Sequence, residues 1–343
     1  MIVRDRPAGL RLFLILRGSV LQRIQVTLLV NIVFAAIITL VHGNLFDVKI
    51  TVTPIPFTLI GLPLAIFLGF RNNTAYDRYW EGRKLWGEMV ICARTLARQC
   101  QSLIALDTVP DPRRRDSDVR VRMAHRAVAF AHSLRSQLRG LHDDAEAGRW
   151  LVDREWRQIQ ALPLEQRCDA LMMSMGHDLA QCVRRGEMEP CLAASMDKTF
   201  TRMTAAAASC ERIRNTPMPF SYALLLHRTA YMYCFLLPFG LVDTTGFMTP
   251  FVVAIVAYTF YGLDALGDEL EEPFGLESND LPLDTICRSI EISLGRTLGE
   301  TDLPTRLRIE AEAAEAARQA ARSRIDLASA ISALRQSLGL LPE

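Results

Sequence analysis

The chain has 343 residues, half of them hydrophobic and 22% charged, with a formal net charge of +1. Length alone permits two soluble domains, but a positive mean hydropathy beside that much charge fits a chain divided between lipid and water. Eight cysteines without a CxxC pair or zinc-type spacing exclude a zinc module and a disulfide scaffold, and fit small hydrophobes in a reduced compartment.

The N-terminus is basic (Arg4, Arg6, Arg11, Arg17, Arg23) and shows no small-residue cleavage site after a short apolar core, so its first apolar run reads as an uncleaved anchor. A bilayer crossing needs roughly 20 mostly apolar residues. Ile24 to about Gly43 meets that requirement, and about Pro54 to Phe70 comes close. The segment between them, Asn44 to Thr53, carries one lysine, Lys49. In the second run, "IPFTLIGLPLAIFLGFRNNTAYDRYWEGRKLWG" from Ile55, the uncharged stretch stops abruptly at Arg71. Leu62, Ile66 and Phe70 recur at i, i+4 and i+8 and share one helical stripe. Such a stripe either lines a water-repelling constriction or packs against helices and lipid; periodicity leaves both open. Pro63 perturbs the helix within this segment. Arg71, Asn72 and Asn73 fall at the inner mouth, where an arginine either snorkels to the interface or presents positive potential to anions. Tyr76, Tyr79, Trp80 and Trp86 suit a lipid–water boundary and then a cytosolic core.

From residue 72 to 219 the pattern is helical. "WGEMVICARTLARQCQSLIAL" and "VRMAHRAVAFAHSLRSQLRGL" place apolar residues three and four apart, the mark of amphipathic helices. "DTVPDPRRRDSD" between them is a loop by its prolines. Its RRR is flanked by Asp111 and Asp116, which points to a solvated turn rather than a nucleic-acid patch. A further helix is expected from Met188 through Arg214, ending at "NTPMPF". Phe220 to Gly240, interrupted by His227 and Arg228, and Phe247 to about Leu266 complete four expected spans. The positive-inside rule orients them with both termini cytoplasmic, since Leu241 to Gly246 carries no basic residue and the other side is arginine-rich.

After the fourth span comes "GLDALGDELEEPFGLESNDLPLD". Asp268 and Glu272, at i and i+4, repel one another. Arg71, Arg78 and Arg83 are the expected partners. Glu277, Asn279, Asp280 and Asp284 offer oxygens of the kind hard cations prefer, but EF-hand order is absent and ion pairing is the favoured reading. The tail from Thr305 to Glu343 is Ala-, Glu- and Arg-rich and helix-prone, suited to wrapping a neighbouring subunit or to standing as a solvated peripheral helix. The six histidines (42, 125, 132, 142, 177, 227) form no HExxH or i, i+4 pair. His125 and His132 share a helix face seven apart, which builds a site only with ligands from elsewhere. No phosphate loop, GxSxG elbow or Cys/His signature is present, so no catalytic residue is assigned and no enzyme is expected.

Three stretches, "GFRNNTAYDRYWEGRKLWG" (Gly69 to Gly87), "CERIRNTPMPF" (Cys210 to Phe220) and "LDALGDELEEPFGLESNDLPLD" (Leu263 to Asp284), resemble the bacterial branch of the bestrophin family, in the right order over nearly the whole chain. The resemblance implies a homopentameric ion channel with an axial pore. Its neck would be lined by rings of Leu62, Ile66 and Phe70, and a second constriction would lie near Leu192 to Ser195. Animal members carry a calcium clasp on an acidic run after "PFG". Here that run is "LESND", which keeps Glu277 and Asp280 but lacks consecutive acids, so calcium activation is not expected, no cofactor is required and no metal is firmly assigned.

The expected architecture is therefore an all-α membrane protein: four transmembrane helices plus a cytosolic helical bundle, assembled around a pore. Residues 1–71 hold spans one (about 24–43) and two (about 54–71). Residues 72–219 are cytosolic, 220–266 hold spans three and four, and 267–343 form the acidic segment and tail. The expected function is a multi-pass bacterial inner-membrane channel for small monovalent ions, chloride or sodium and potassium, with the bilayer, those ions and four further copies of itself as partners and no nucleic acid. The alternatives are a non-conducting membrane scaffold whose cytosolic helices bind partners, and a membrane enzyme with a metal site.

Overall fold

The computed structural model describes residues 18–41, 44–45, 48–49, 53–106, 116–142, 145–277 and 279–300. The basic residues Arg4 to Arg17, His42, the RRR loop and the tail from Thr305 lie outside the described residues. In chain order the elements are α1 (Leu21–Leu40), β1 (Asn44–Leu45), β2 (Val48–Lys49), α2 (Pro54–Leu103), α3 (Val119–Arg139), α4 (Ala145–Gly148), α5 (Asp153–Gln160), α6 (Leu164–Arg184), α7 (Pro190–Asn215), α8 (Phe220–Thr245), a 3-10 turn (Gly246–Met248), α9 (Thr249–Glu271) and α10 (Leu283–Leu298). The fold is helical, and among the described residues its strands are one two-residue antiparallel pair, Asn44 opposite Lys49 and Leu45 opposite Val48. Sequence patterning did not anticipate that pair.

The chain forms two compact units, one built on residues up to 80 with 216–273, the other on 81–215 with the chain from 274. The first contains α1, the start of α2, α8 and α9. Among the described residues three stretches are long and apolar enough to cross a membrane: Leu21–Leu40, part of Pro54–Leu103, and Phe220–Glu271. The last holds two helices folded back on each other at Gly246, whose φ of +51° lies where a side chain is disfavoured. His227 meets Asp264, while Cys234 clusters with Ala257 and Leu237 with Val253, an antiparallel ladder centred on the turn. α1 runs antiparallel to α9, with Asn31 donating to the Tyr261 hydroxyl at 3.2 Å and Ile24 packed with Ala265. α2 runs antiparallel to α8, since Leu64 and Leu68 pack with Leu226 and Ala230 and the Tyr222 hydroxyl donates to the Phe67 carbonyl. Four segments therefore alternate in direction, and the start of α1 shares one end of this unit with the end of α9.

α2 differs from expectation in its length. The second span and the first cytosolic helix are a single 50-residue helix that passes through Pro63, about 75 Å at 1.5 Å per residue. Pro54 and Pro56 sit in its first turn, where a backbone donor is not required.

In the second unit α3 is central, buried at every position except Arg122 and Arg139. Amphipathic patterning left its polar face for solvent. The structure buries that face too, because each cation on it has a carboxylate. Arg120 meets Asp118 at 2.8 Å, and Arg126 meets Glu155 at 2.6 Å and Asp178 at 2.7 Å. Arg135 meets Glu146 at 2.7 Å and Asp284 at 2.9 Å. Buried charge is tolerated only when paired in this way. Asp118 caps the helix start, accepting from the Arg120 amide at 2.9 Å, and Gly140 closes the other end at φ +66°. All eight cysteines are free thiols, and all but Cys191 are buried.

Candidate functional site

The first half of α2 has two unlike faces. One is a narrow buried line, Leu64, Leu68, Arg71 and Ala75, extended toward the helix start by half-buried Phe57 and Gly61. Apolar burial does little to drive helices together within lipid, so close backbone approach matters more. Gly61 permits that approach: a Cβ there would stand 2.8 Å from the Tyr233 hydroxyl on α8. The other face carries Leu62, Ile66 and Phe70, which are 66%, 47% and 59% exposed in the single chain. At 100° per residue these three span an arc of about 80°, wide of Leu64 and Leu68.

Arg71, expected at an inner mouth, is engaged by neighbouring helices at one end of the unit. It is 2% exposed and turned onto α9. Its Nη1 donates to Asp264 Oδ1 at 2.7 Å and approaches the Asp264 carbonyl at 3.4 Å. Its Nη2 pairs with Asp268 and lies 3.8 Å from Glu271. The second oxygen of Asp264 meets His227 Nδ1 at 2.7 Å, and Arg23 reaches Asp268 at 3.7 Å. Glu271 accepts from the Met218 amide at 2.9 Å, while Arg78 donates to the Glu271 carbonyl at 3.2 Å. The result is a clamp joining α1, α2, α8 and α9 at one end of the unit. The expected repulsion on α9 is relieved for Asp268 by Arg71, whereas Glu272 is exposed and Arg83 is exposed on the later part of α2. Arg71 therefore offers little free positive potential to an ion. Sequence held the signal for this: Arg71 is three and seven residues past Leu68 and Leu64, on the buried line rather than on the stripe. Asn72 is half-buried, its Oδ1 close enough to Gly267 that a Cβ there would stand 2.6 Å away. Asn73 is exposed.

Leu192 and Ser195 are exposed near the start of α7, and the Ser195 carbonyl accepts from Gln99 Nε2 at 3.4 Å. Glu277 and Asp280 form a closed turn. The Asp280 carboxylate accepts from the Glu277 amide at 2.6 Å, and the Asp280 amide donates back to the Glu277 carbonyl at 3.2 Å. Asp280 is buried in that role while Glu277 is exposed. Among the described residues no group of three His, Cys, Asp or Glu side chains is placed to hold a metal ion.

The family model for "Bacterial/Fungal Bestrophin protein" matches residues 1–296. A voltage-dependent anion channel-forming protein of Mesorhizobium japonicum is 45% identical over 301 residues, 88% of this chain and 93% of that protein. One of Escherichia coli K12 is 39% identical over 307 residues, covering 90% and 97%. A crystal structure of a bacterial bestrophin homolog from Klebsiella pneumoniae superposes with a TM-score of 0.73 at 36% identity, over 81% of this chain and 99% of that one. With its family model matched over most of its length and such relatives covering nearly all of theirs, this helical membrane chain belongs to the bestrophin family.

Proposed function

We propose that five copies of this chain assemble around a common axis in a bacterial inner membrane, with both termini cytoplasmic, and pass small monovalent ions through a neck of Leu62, Ile66 and Phe70 rings. The observation that carries this reading is the exposed apolar stripe on a helix whose other face is already occupied by α8 and α9. Rings of such side chains repel water when narrow and conduct when wide enough to stay wet. The names of the relatives favour anions, while the neutralised Arg71 supplies no selectivity for them, so the ion is chloride or a sodium- or potassium-like cation. Leu192 and Ser195, exposed on α7, are the proposed second constriction. Conduction requires no chemistry on a substrate, and with "LESND" lacking consecutive acids, Glu277 and Asp280 are a possible but not a required calcium site.

The test is the reversal potential of purified protein in planar bilayers under a KCl gradient. A shift toward the chloride potential assigns anions and a shift toward the potassium potential assigns cations. No current from inserted protein would replace the channel by a non-conducting scaffold. Ile66→Ala is expected to raise the current and weaken selectivity; an unchanged record would remove the neck from this face.

A further inference from the structure

α10 lies antiparallel on α3, and the two are joined by cation–carboxylate rungs. At the start of α10, Asp284 takes Arg135 at 2.9 Å and Arg139 at 2.5 Å. In the middle, His132 Nε2 meets Glu291 Oε1 at 2.5 Å, with both side chains 1% exposed. At the far end His125 Nε2 meets Glu300 Oε1 at 2.7 Å. Glu300 is turned back against the helix by the Gly299 cap, its amide donating to the Gly295 carbonyl at 2.9 Å. Heptad steps along α3 thus match steps back along α10. The cations at one end are arginines, while the middle rung rests on His132, so the rungs differ in whether their charge responds to protons near neutral pH.

The surroundings of His132 favour its charged form. Glu146 of α4 faces its Nδ1 at 3.4 Å, an ionic approach rather than a hydrogen bond. From α10, Arg288 pairs with Glu291 and comes within 3.6 Å of Glu146. On α3 itself Arg135 also bonds Glu146. Cys287 of α10 points its thiol at the Ala131 carbonyl. The carboxylate α6 presents to α3, Asp178, is taken by Arg122 and Arg126, and Glu211 of α7 is taken by Gln137. Burial opposes the imidazolium and Arg135 adds to that opposition, but the close approach of Glu146 and the bond to Glu291 outweigh both and raise the His132 pKa.

We propose that His132, set between Glu291 and Glu146, is a proton-binding site that locks the C-terminal half of α10 onto α3. A histidine whose folded pKa is raised contributes its full stabilisation below its unfolded value near 6.5 and loses it as pH rises through the folded value. Alkalinisation therefore loosens α10 from its middle toward Glu300, while the Asp284 end stays tied by Arg135 and Arg139. α10 follows the segment whose Phe274 and Leu281 pack on Gly82 of α2, where a Cβ would stand 3.0 Å from the phenylalanine ring. Its docking thus bears on the part of α2 around Gly82.

Hydrogen exchange on the full-length protein in detergent, corrected for intrinsic rates, tests this. Between about pH 6 and about pH 9, protection at residues 291–298 is expected to fall several-fold, with 283–287 and α6 little changed. His132→Gln, neutral throughout, is expected to remove the pH dependence and exchange at the alkaline rate throughout. Equal protection at both pH values in the unmodified protein, or a gradient that survives His132→Gln, would overturn the proposal. Glu291→Gln read in the same way serves if the first variant does not fold, since its own pH dependence should also be flattened.

Discussion

Each unit of the molecule holds a cluster of buried charge, and the clusters are built from different cations. In the unit of α1, α2, α8 and α9, Arg71 gathers Asp264, Asp268 and Glu271 where the helices meet. In the other unit, α3 presents arginines and histidines to acids from α4, α5, α6 and α10. Guanidinium stays charged at any pH the protein meets, so the Arg71 bonds at the centre of the first cluster are permanent, with His227 half exposed at its edge. The second buries an imidazole, His132, between two carboxylates, so part of its interior answers to protons. The two also differ in how far their carboxylates are from water, and that difference orders the mutational effects.

The largest effect is expected at Arg71. Asp264 is 4% exposed and would be left facing only His227. Removing one partner of a buried pair costs about 3–5 kcal/mol because the other charge stays behind in low dielectric. Arg71→Leu should therefore lower the unfolding midpoint of purified protein sharply. Asp264→Asn added to it should recover part of the loss, since the stranded charge is then gone. If Arg71→Leu unfolds like the parent, the clamp is not what holds α9 to α2.

A smaller effect is expected from Arg135→Leu, which removes a guanidinium that is just as buried. Its partners Glu146 and Asp284 are 40% and 34% exposed and can turn to water, and Asp284 keeps Arg139. About 1–2 kcal/mol is expected, the range for losing charged hydrogen bonds whose acceptors are not sealed in. A loss equal to that of Arg71→Leu would mean that solvent access of the partner does not set the cost.

Much of the membrane unit was legible in the sequence, because apolar length and arginine bias are local quantities. The four runs, the break at Gly246 and the helix through residues 188–214 can be read by scanning along the chain. The continuity of α2 was less visible: Arg71 looks like an end when it is the next residue of a buried line already marked by Leu64 and Leu68. The rungs between α3 and α10 were not legible. His125 and His132 could be placed on one face, but their acids are 175 and 159 residues away in the chain, and no periodicity connects such positions. For the same reason α3 read as half-solvated: a helix with five arginines and two histidines is a core helix only if carboxylates arrive from elsewhere.

The smallest effect tests how far local pairing matters within that core. Asp118 both caps α3 and binds Arg120, and although burial works against its charge, the bonds from the Arg120 side chain and amide hold its pKa below the usual carboxylate value. A depressed carboxylate contributes stability above its unfolded pKa and loses it as pH falls through the folded one. Asp118→Asn keeps an oxygen that accepts from the Arg120 amide, whereas Asp118→Ala keeps nothing. Loss of an N-cap costs about 1 kcal/mol, so Ala should destabilise by about that much more than Asn in denaturant unfolding. If the two variants match, the ion pair with Arg120 is the larger role. In that case the start of α3 is held as its middle is, by charge rather than by backbone capping.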